Sequence, residues 1–205
     1  MTKEVFLMND EKFVLASQSP RRRALVSLTG YEFESVSVET DEIIDLTMRP
    51  EEAIMALALS KTRSVLKDYP DRMILGADTI VYIDGVHLGK PEDRDDAFRM
   101  LKLLSGRTHK VITGCALNLN GQSVTFHSET KVVFNPMTDA EIEDYVATGE
   151  PFNKAGSYAI QGYGARFVKY IEGDYHTVMG LPVSKLYRYL KDFENGVLFT
   201  DCNLR

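Results

Sequence analysis

Two dipeptides, Asp84-Gly85 and Asn120-Gly121, most constrain what this 205-residue chain can fold into. Each follows an apolar run and reads as a β-hairpin turn, because a type I′ turn needs positive φ at both central residues. Elsewhere strand-like and helix-like segments interleave. Hairpins inserted into such an alternation argue against a purely parallel, doubly wound sheet. They predict a mixed α/β fold with a mixed sheet and flanking helices.

The individual elements follow from local signals. Residues 13–16, "FVLA", read as a buried strand. Ser19-Pro20 opens a helix, with Ser as N-cap and Pro at the first helical position. "FESVSV" at 33–38 alternates like a strand. An acidic loop, "ETDEIID", precedes a long helix over 49–69, whose first turn carries Pro50 and two glutamates. Residues 73–85 form a buried strand, 91–106 a helix ended by Gly106. Two or three strands surround Asn120-Gly121 between 109 and 134. Thr138 and Glu141 form a capping box for a helix over 138–149. A strand is expected over 166–175 and a last helix over 181–193, with a peripheral tail beyond. No repeat or linker divides the chain, so one domain over 1–205 is expected.

Charge decides which partners are plausible. The formal net charge is −6. A nucleic-acid binder or a polybasic membrane protein needs a broad positive face, so neither class fits. Val5–Met8 is too short for a signal-peptide core, and no run approaches a membrane span of about 20 apolar residues. Cys115 and Cys202 give neither metal spacing nor a disulfide framework, which points to a reducing, cytoplasmic setting. Cys115, in an apolar run, reads as core.

Against that acidic background Arg21, Arg22 and Arg23 occupy the first turn of a helix. Extra positive charge there opposes the helix dipole, whereas an anion would be held by it. The arrangement suits a triphosphate; pairing with Glu39, Asp41 or Glu42 is the alternative. Asp78, in "LGADTIV", is costly to bury unless it binds a cation or accepts hydrogen bonds. Lys61 lies mid-helix and Lys90 in a loop braced by Pro91; a lone lysine is usually solvent-facing. Glu39, Asp41, Glu42 and Asp45 form either a charged surface or oxygen ligands for Mg²⁺. Together these residues make a constellation for metal-assisted hydrolysis of a nucleotide phosphoanhydride. No P-loop motif is present. In "AIQGYG", Gln161 offers two donors and an acceptor, either to a ligand or to its own loop, and Gly162 and Gly164 would let the backbone approach a ligand.

The segments "LASQSPRRRALV", "GADTIV", "LGKPEDRDDAFRMLKLLSGRTHKVITGCAL" and "PFNKAGSYAIQGYGARFVKYIEGDYHTVMGLPVSKL" resemble the Maf family of nucleoside triphosphate pyrophosphatases, in order, over about residues 12–193. "KAGSYAIQG" is similar to the subgroup acting on dTTP and UTP. The resemblance implies an elongated α/β fold of two lobes around a cleft, shared with inosine triphosphate pyrophosphatases. It implies hydrolysis of the triphosphate to monophosphate and pyrophosphate with a divalent cation, Mg²⁺ or Mn²⁺. By it, Asp78 matches the proton acceptor, and Arg21, Thr79 and Gln161 match positions tied to substrate selection. Ser17, Arg22, Glu42, Lys61 and Lys90 match other polar positions of the cleft. On this reading Asp78, Lys90 and Lys61 are catalytic, and Ser17, Arg21, Arg22, Thr79 and Gln161 bind substrate. Glu42 and Asp78 hold the metal. Ser157 departs from the pattern, where the subgroup often has alanine. The alternatives are a pyrophosphatase for a purine or a modified nucleotide such as 7-methyl-GTP, and a non-catalytic nucleotide sensor regulating cell division. A homodimer is compatible with either.

Overall fold

The computed structural model describes residues 12–38, 44, 45 and 47–195. Glu39, Asp41, Glu42, Val5–Met8 and residues 196–205 of the C-terminal tail, Cys202 among them, lie outside the described residues. The strands are β1 (Phe13–Ala16), β2 (Phe33–Val36), β3 (Ile74–Ile83), β4 (Val86–Leu88), β5 (Thr108–Leu119), β6 (Gln122–Phe134) and β7 (Val168–Glu172). The helices are α1 (Pro20–Ser27), α2 (Pro50–Val65), α3 (Arg94–Leu104), α4 (Asp139–Ala147), α5 (Tyr175–Met179) and α6 (Val183–Glu194). The sheet runs β2-β1-β3-β5-β6-β7, with β4 also paired to β3. β1 pairs in parallel with β2 and β3, whereas β3–β4 and β6–β7 are antiparallel. The mixed sheet expected from the hairpin signals is therefore present. Both turns take their φ values from the left-handed region, +46° and +82° at Asp84-Gly85 and +51° and +78° at Asn120-Gly121, as a type I′ turn demands.

Helix starts follow their caps. The Ser19 hydroxyl accepts from the Arg22 amide at 3.4 Å, and Thr138 and Glu141 close the capping box. The helix expected over 91–106 begins later, at Arg94, because the Asp93 carboxylate accepts from the Asp96 amide at 2.8 Å and serves as N-cap. The strand expected over 166–175 is shorter. A 3₁₀ turn at Tyr163–Phe167 precedes β7, and α5 follows it.

By compactness the residues fall into two units. The first takes residues through Asp78, Gly114–His127 and the segment from Gly180 onward; the second takes Thr79–Thr113 and Ser128–Met179. In the first unit Val14, Ala16, Val65 and Ile74 form a buried cluster. Cys115 is also buried there, as expected, and burial pushes its thiol up to about 12. In the second unit the buried face of α3, namely Ala97, Met100, Leu101 and Leu104, packs with Val132, Phe134, Ile142 and Tyr145.

That second core also encloses His109, 1% exposed. Its Nε2 lies 2.9 Å from the Tyr158 hydroxyl, and its ring meets Phe134 edge-on at 4.9 Å. Burial lowers its pKa to about 3. An unfolded histidine titrates near about 6.5, so the unfolded state binds the proton first. The stabilisation is complete above that value and is lost as pH falls toward the native pKa. Urea titrations of the parent should show a drop between pH 7 and pH 4, of which His109 supplies about 3 kcal/mol. In His109→Gln the difference between the two pH values should shrink by about that amount. An equal acid sensitivity in both proteins refutes the assignment.

Candidate functional site

In the first unit the site is built on β3 and α2. Ile74, Leu75 and Ala77 are fully buried, and Asp78 stands where that apolar stretch ends. α2 buries Ala53, Ile54, Leu57, Ala58, Lys61, Thr62 and Val65. That is one helical stripe at spacings of three and four, and Lys61 is a member of it. Two glycines let the helix come this close. A Cβ on Gly76 would stand 2.3 Å from the Ala58 carbonyl oxygen, and one on Gly114 would stand 2.7 Å from Ile54 backbone atoms.

The approach delivers Lys61, only 6% exposed, to Asp78. Its Nζ donates to Asp78 Oδ2 at 2.6 Å. Arg22 reaches the other oxygen: its Nη2 lies 3.5 Å from Asp78 Oδ1, and its Nε donates to the Gly180 carbonyl at 3.1 Å. Asp78 is thus held between two cations. Lys61 is not the solvent-facing residue that a lone lysine suggests, because its partner lies on the strand beneath the helix.

The arginine turn divides its labour. Arg22 turns inward to Asp78, Arg23 is exposed and Arg21 is half-buried. Among the described residues Arg21 has no carboxylate within salt-bridge distance, and burial, followed by the charge of Arg22, holds its pKa below the ordinary value. Ser17 is buried, and its hydroxyl accepts from the Ser19 amide at 3.2 Å. It braces the turn from which the arginines emerge. Of the carboxylates in the acidic loop, Asp45 alone lies among the described residues, and it accepts from the amide and hydroxyl of Thr47. Among the described residues no three His, Cys, Asp or Glu side chains stand close enough to hold a metal ion.

The second unit carries Thr79, Lys90 and Gln161. The Thr113 hydroxyl donates to the Thr177 carbonyl at 2.8 Å, and a carbonyl only accepts. Thr113 has one proton, so in the 2.8 Å contact between Thr79 and Thr113 the donor is Thr79. Thr79 Oγ1 therefore offers lone pairs, not its proton, to any further group. Lys90 is exposed and follows Gly89, whose carbonyl accepts from the Gly156 amide at 2.9 Å. Ser157, the departure noted in the sequence, is fully buried, and its hydroxyl donates to Met100 Sδ at 3.1 Å.

Gln161 is exposed, in a segment anchored by two residues that sequence reasoning passed over. The Glu150 carboxylate accepts from the amides of Tyr163 and Gly164, each at 2.9 Å, and from the Tyr145 hydroxyl at 2.8 Å. Tyr145 in turn accepts from the Ala159 amide at 3.2 Å. Desolvation raises the Glu150 pKa, but the amides of Gly164 and Tyr163 and the Tyr145 hydroxyl outweigh it and bring the net shift below the ordinary value. A Cβ on Gly162 would lie 2.3 Å from Glu150 Oε2, and one on Gly164 would lie 2.8 Å from the Tyr145 hydroxyl. The room left by these glycines is filled by Glu150 and Tyr145, not kept for a ligand. One signal for Tyr145 was available: it shares the buried stripe of α4 with Ile142 and Val146, and a buried tyrosine needs a hydroxyl partner.

Residues 12–193 match the family described as Maf-like protein. A dTTP/UTP pyrophosphatase of Bacillus cytotoxicus is 50% identical over 186 residues, which cover 91% of this chain and 97% of that protein. A dTTP/UTP pyrophosphatase of Bacillus cereus is 48% identical over the same shares. Among solved structures, the Staphylococcus aureus Ham1 protein superposes with a TM-score of 0.50 at 9% identity, covering 88% of this chain and 98% of that one. The likeness is one of fold.

Proposed function

The chain belongs to the Maf family, and from that membership and its site we propose that it hydrolyses dTTP and UTP to the nucleoside monophosphate and pyrophosphate. The substrate pair comes from the names of relatives at 50% and 48% identity. The observation that carries the chemistry is Asp78 held between Lys61 and Arg22 at 2.6 and 3.5 Å. A carboxylate so fixed is suited to align a water and take its proton. The water oxygen bonds to the α-phosphorus, the bond to the bridging α–β oxygen breaks, and pyrophosphate leaves with the electron pair. Arg21, at the positive end of α1, and Lys90 neutralise charge on the phosphates. Ser17 supports the arginine turn, while Thr79 and Gln161 meet the nucleoside.

A divalent cation fits this donor set in one way. Hard cations such as Mg²⁺ take one or two carboxylates and complete their shell with phosphates and water. Asp78 would hold it with Glu42, which lies outside the described residues. Bound there, it would supply charge neutralisation at the phosphate oxygens and lower the pKa of a coordinated water. No helix among the described residues is long and apolar enough to cross a membrane. We place the activity in the cytoplasm, on free nucleotides.

The test is the product pair. UTP with Mg²⁺ should yield UMP and pyrophosphate, with no orthophosphate until an inorganic pyrophosphatase is added. UDP and orthophosphate as first products would refute the proposal.

A further inference from the structure

We infer that Glu150 and Tyr145 are positioning residues for nucleobase selection: they clamp both ends of the Ala159–Gly164 arch and so fix the side-chain placement of Gln161. The inference rests on the proposed role of Gln161 at the base. Gln161 lies between the clamped Ala159 amide on one side and the clamped Tyr163 and Gly164 amides on the other. All three amides end on one pair of side chains, themselves joined at 2.8 Å. Tyr145 is fully buried and Glu150 half-buried, so the post is anchored in the core through its tyrosine. The glycines at 162 and 164 are the residues over which the backbone closes onto that post.

An exposed glutamine on a loose loop has its amide in many orientations. A loop fixed at both ends fixes the Cα and Cβ from which that amide projects and so narrows the positions it can reach, and discrimination between bases needs a fixed donor–acceptor order. Uracil and thymine present carbonyls and an N3–H, whereas cytosine presents an amino group and an unprotonated N3. The arch converts a flexible polar residue into an oriented one. Glu150 suits the post because both carboxylate oxygens accept. In Glu150→Gln one oxygen becomes an NH₂ that cannot accept from an amide N–H.

The experiment measures kcat/KM for UTP, dTTP and CTP in the parent, Glu150→Gln, Tyr145→Phe, Gln161→Ala and the Glu150→Gln/Gln161→Ala double variant. The UTP-to-CTP ratio should fall about tenfold in Glu150→Gln, as in Gln161→Ala, and by less in Tyr145→Phe. The double variant should show no further fall in the ratio, because both changes remove the same oriented contact. If the ratio falls in Gln161→Ala but holds in Glu150→Gln and Tyr145→Phe while all three substrates decline together, the clamp is only structural and the inference is overturned, with the role of Gln161 left standing. If the ratio holds in Gln161→Ala itself, base reading by Gln161 fails and the inference falls with it. Should Glu150→Gln not fold, Tyr145→Phe keeps the buried ring and decides by the same ratio. Release of UMP and pyrophosphate by the parent reports separately on the reaction.

Discussion

Asp78→Asn should lower the rate of UTP hydrolysis by about 10²–10⁴-fold in a protein that still folds. The amide has the shape of the carboxylate but cannot take a proton and binds a cation poorly. Asp78 Oδ2 accepts from Lys61 Nζ at 2.6 Å, and Oδ1 lies 3.5 Å from Arg22 Nη2. In the variant one of these cations faces an NH₂ group in place of an oxygen. Stability should therefore fall by about 1–3 kcal/mol, the cost of a charged hydrogen bond lost in a partly buried place. The two readouts are separable, since thermal unfolding reports the second and steady-state turnover the first. Near-normal turnover in the folded variant would remove Asp78 from the reaction.

Gly76→Ala should unfold at a midpoint lower by about 6–12 °C and lose activity with it, although Gly76 carries no side chain and is buried. A Cβ there would stand 2.3 Å from the Ala58 carbonyl oxygen and 2.9 Å from Thr62 Cγ2. The first is a backbone atom, so a rotamer change cannot relieve the overlap, and α2 must move. Overpacking of this kind costs about 3 kcal/mol, at 2–4 °C per kcal/mol for about 200 residues. Ala58, Lys61 and Thr62 occupy one turn of α2, so the displacement that relieves the overlap also withdraws Lys61 from Asp78. Gly89→Ala is the control, because a Cβ there meets nothing within 4 Å. Its midpoint should match the parent. A Gly76→Ala protein with parental midpoint and turnover would show that α2 tolerates a wider spacing, and the account of how Lys61 is delivered would fail.

What the sequence determined by itself was local. Ser19, Thr138 and the two hairpin dipeptides act on amides within three residues or set φ at their own positions, so their neighbours suffice to read them. The order of strands and helices, and with it the mixed sheet, follows from such signals plus hydrophobic period. Asp78 and the arginine turn were also legible, as residue types out of place for stability alone, whereas Lys61 became a candidate only through the family resemblance. Their arrangement was not. Lys61 and Asp78 are 17 positions apart, and Arg22 and Asp78 are 56 apart. Whether such groups meet depends on which strands are neighbours and how closely a helix rides on them. The tertiary structure alone assigned Arg22 to Asp78 and turned Lys61 inward. It alone gave Gly162 and Gly164 a carboxylate and a tyrosine for company, 13 and 14 residues from Glu150 in the backbone bonds that Tyr163 and Gly164 make to it. The physical reason is range. Caps and turns are settled by bonds that close within one turn of chain, whereas a buried charge is settled only by the partner that packing brings to it.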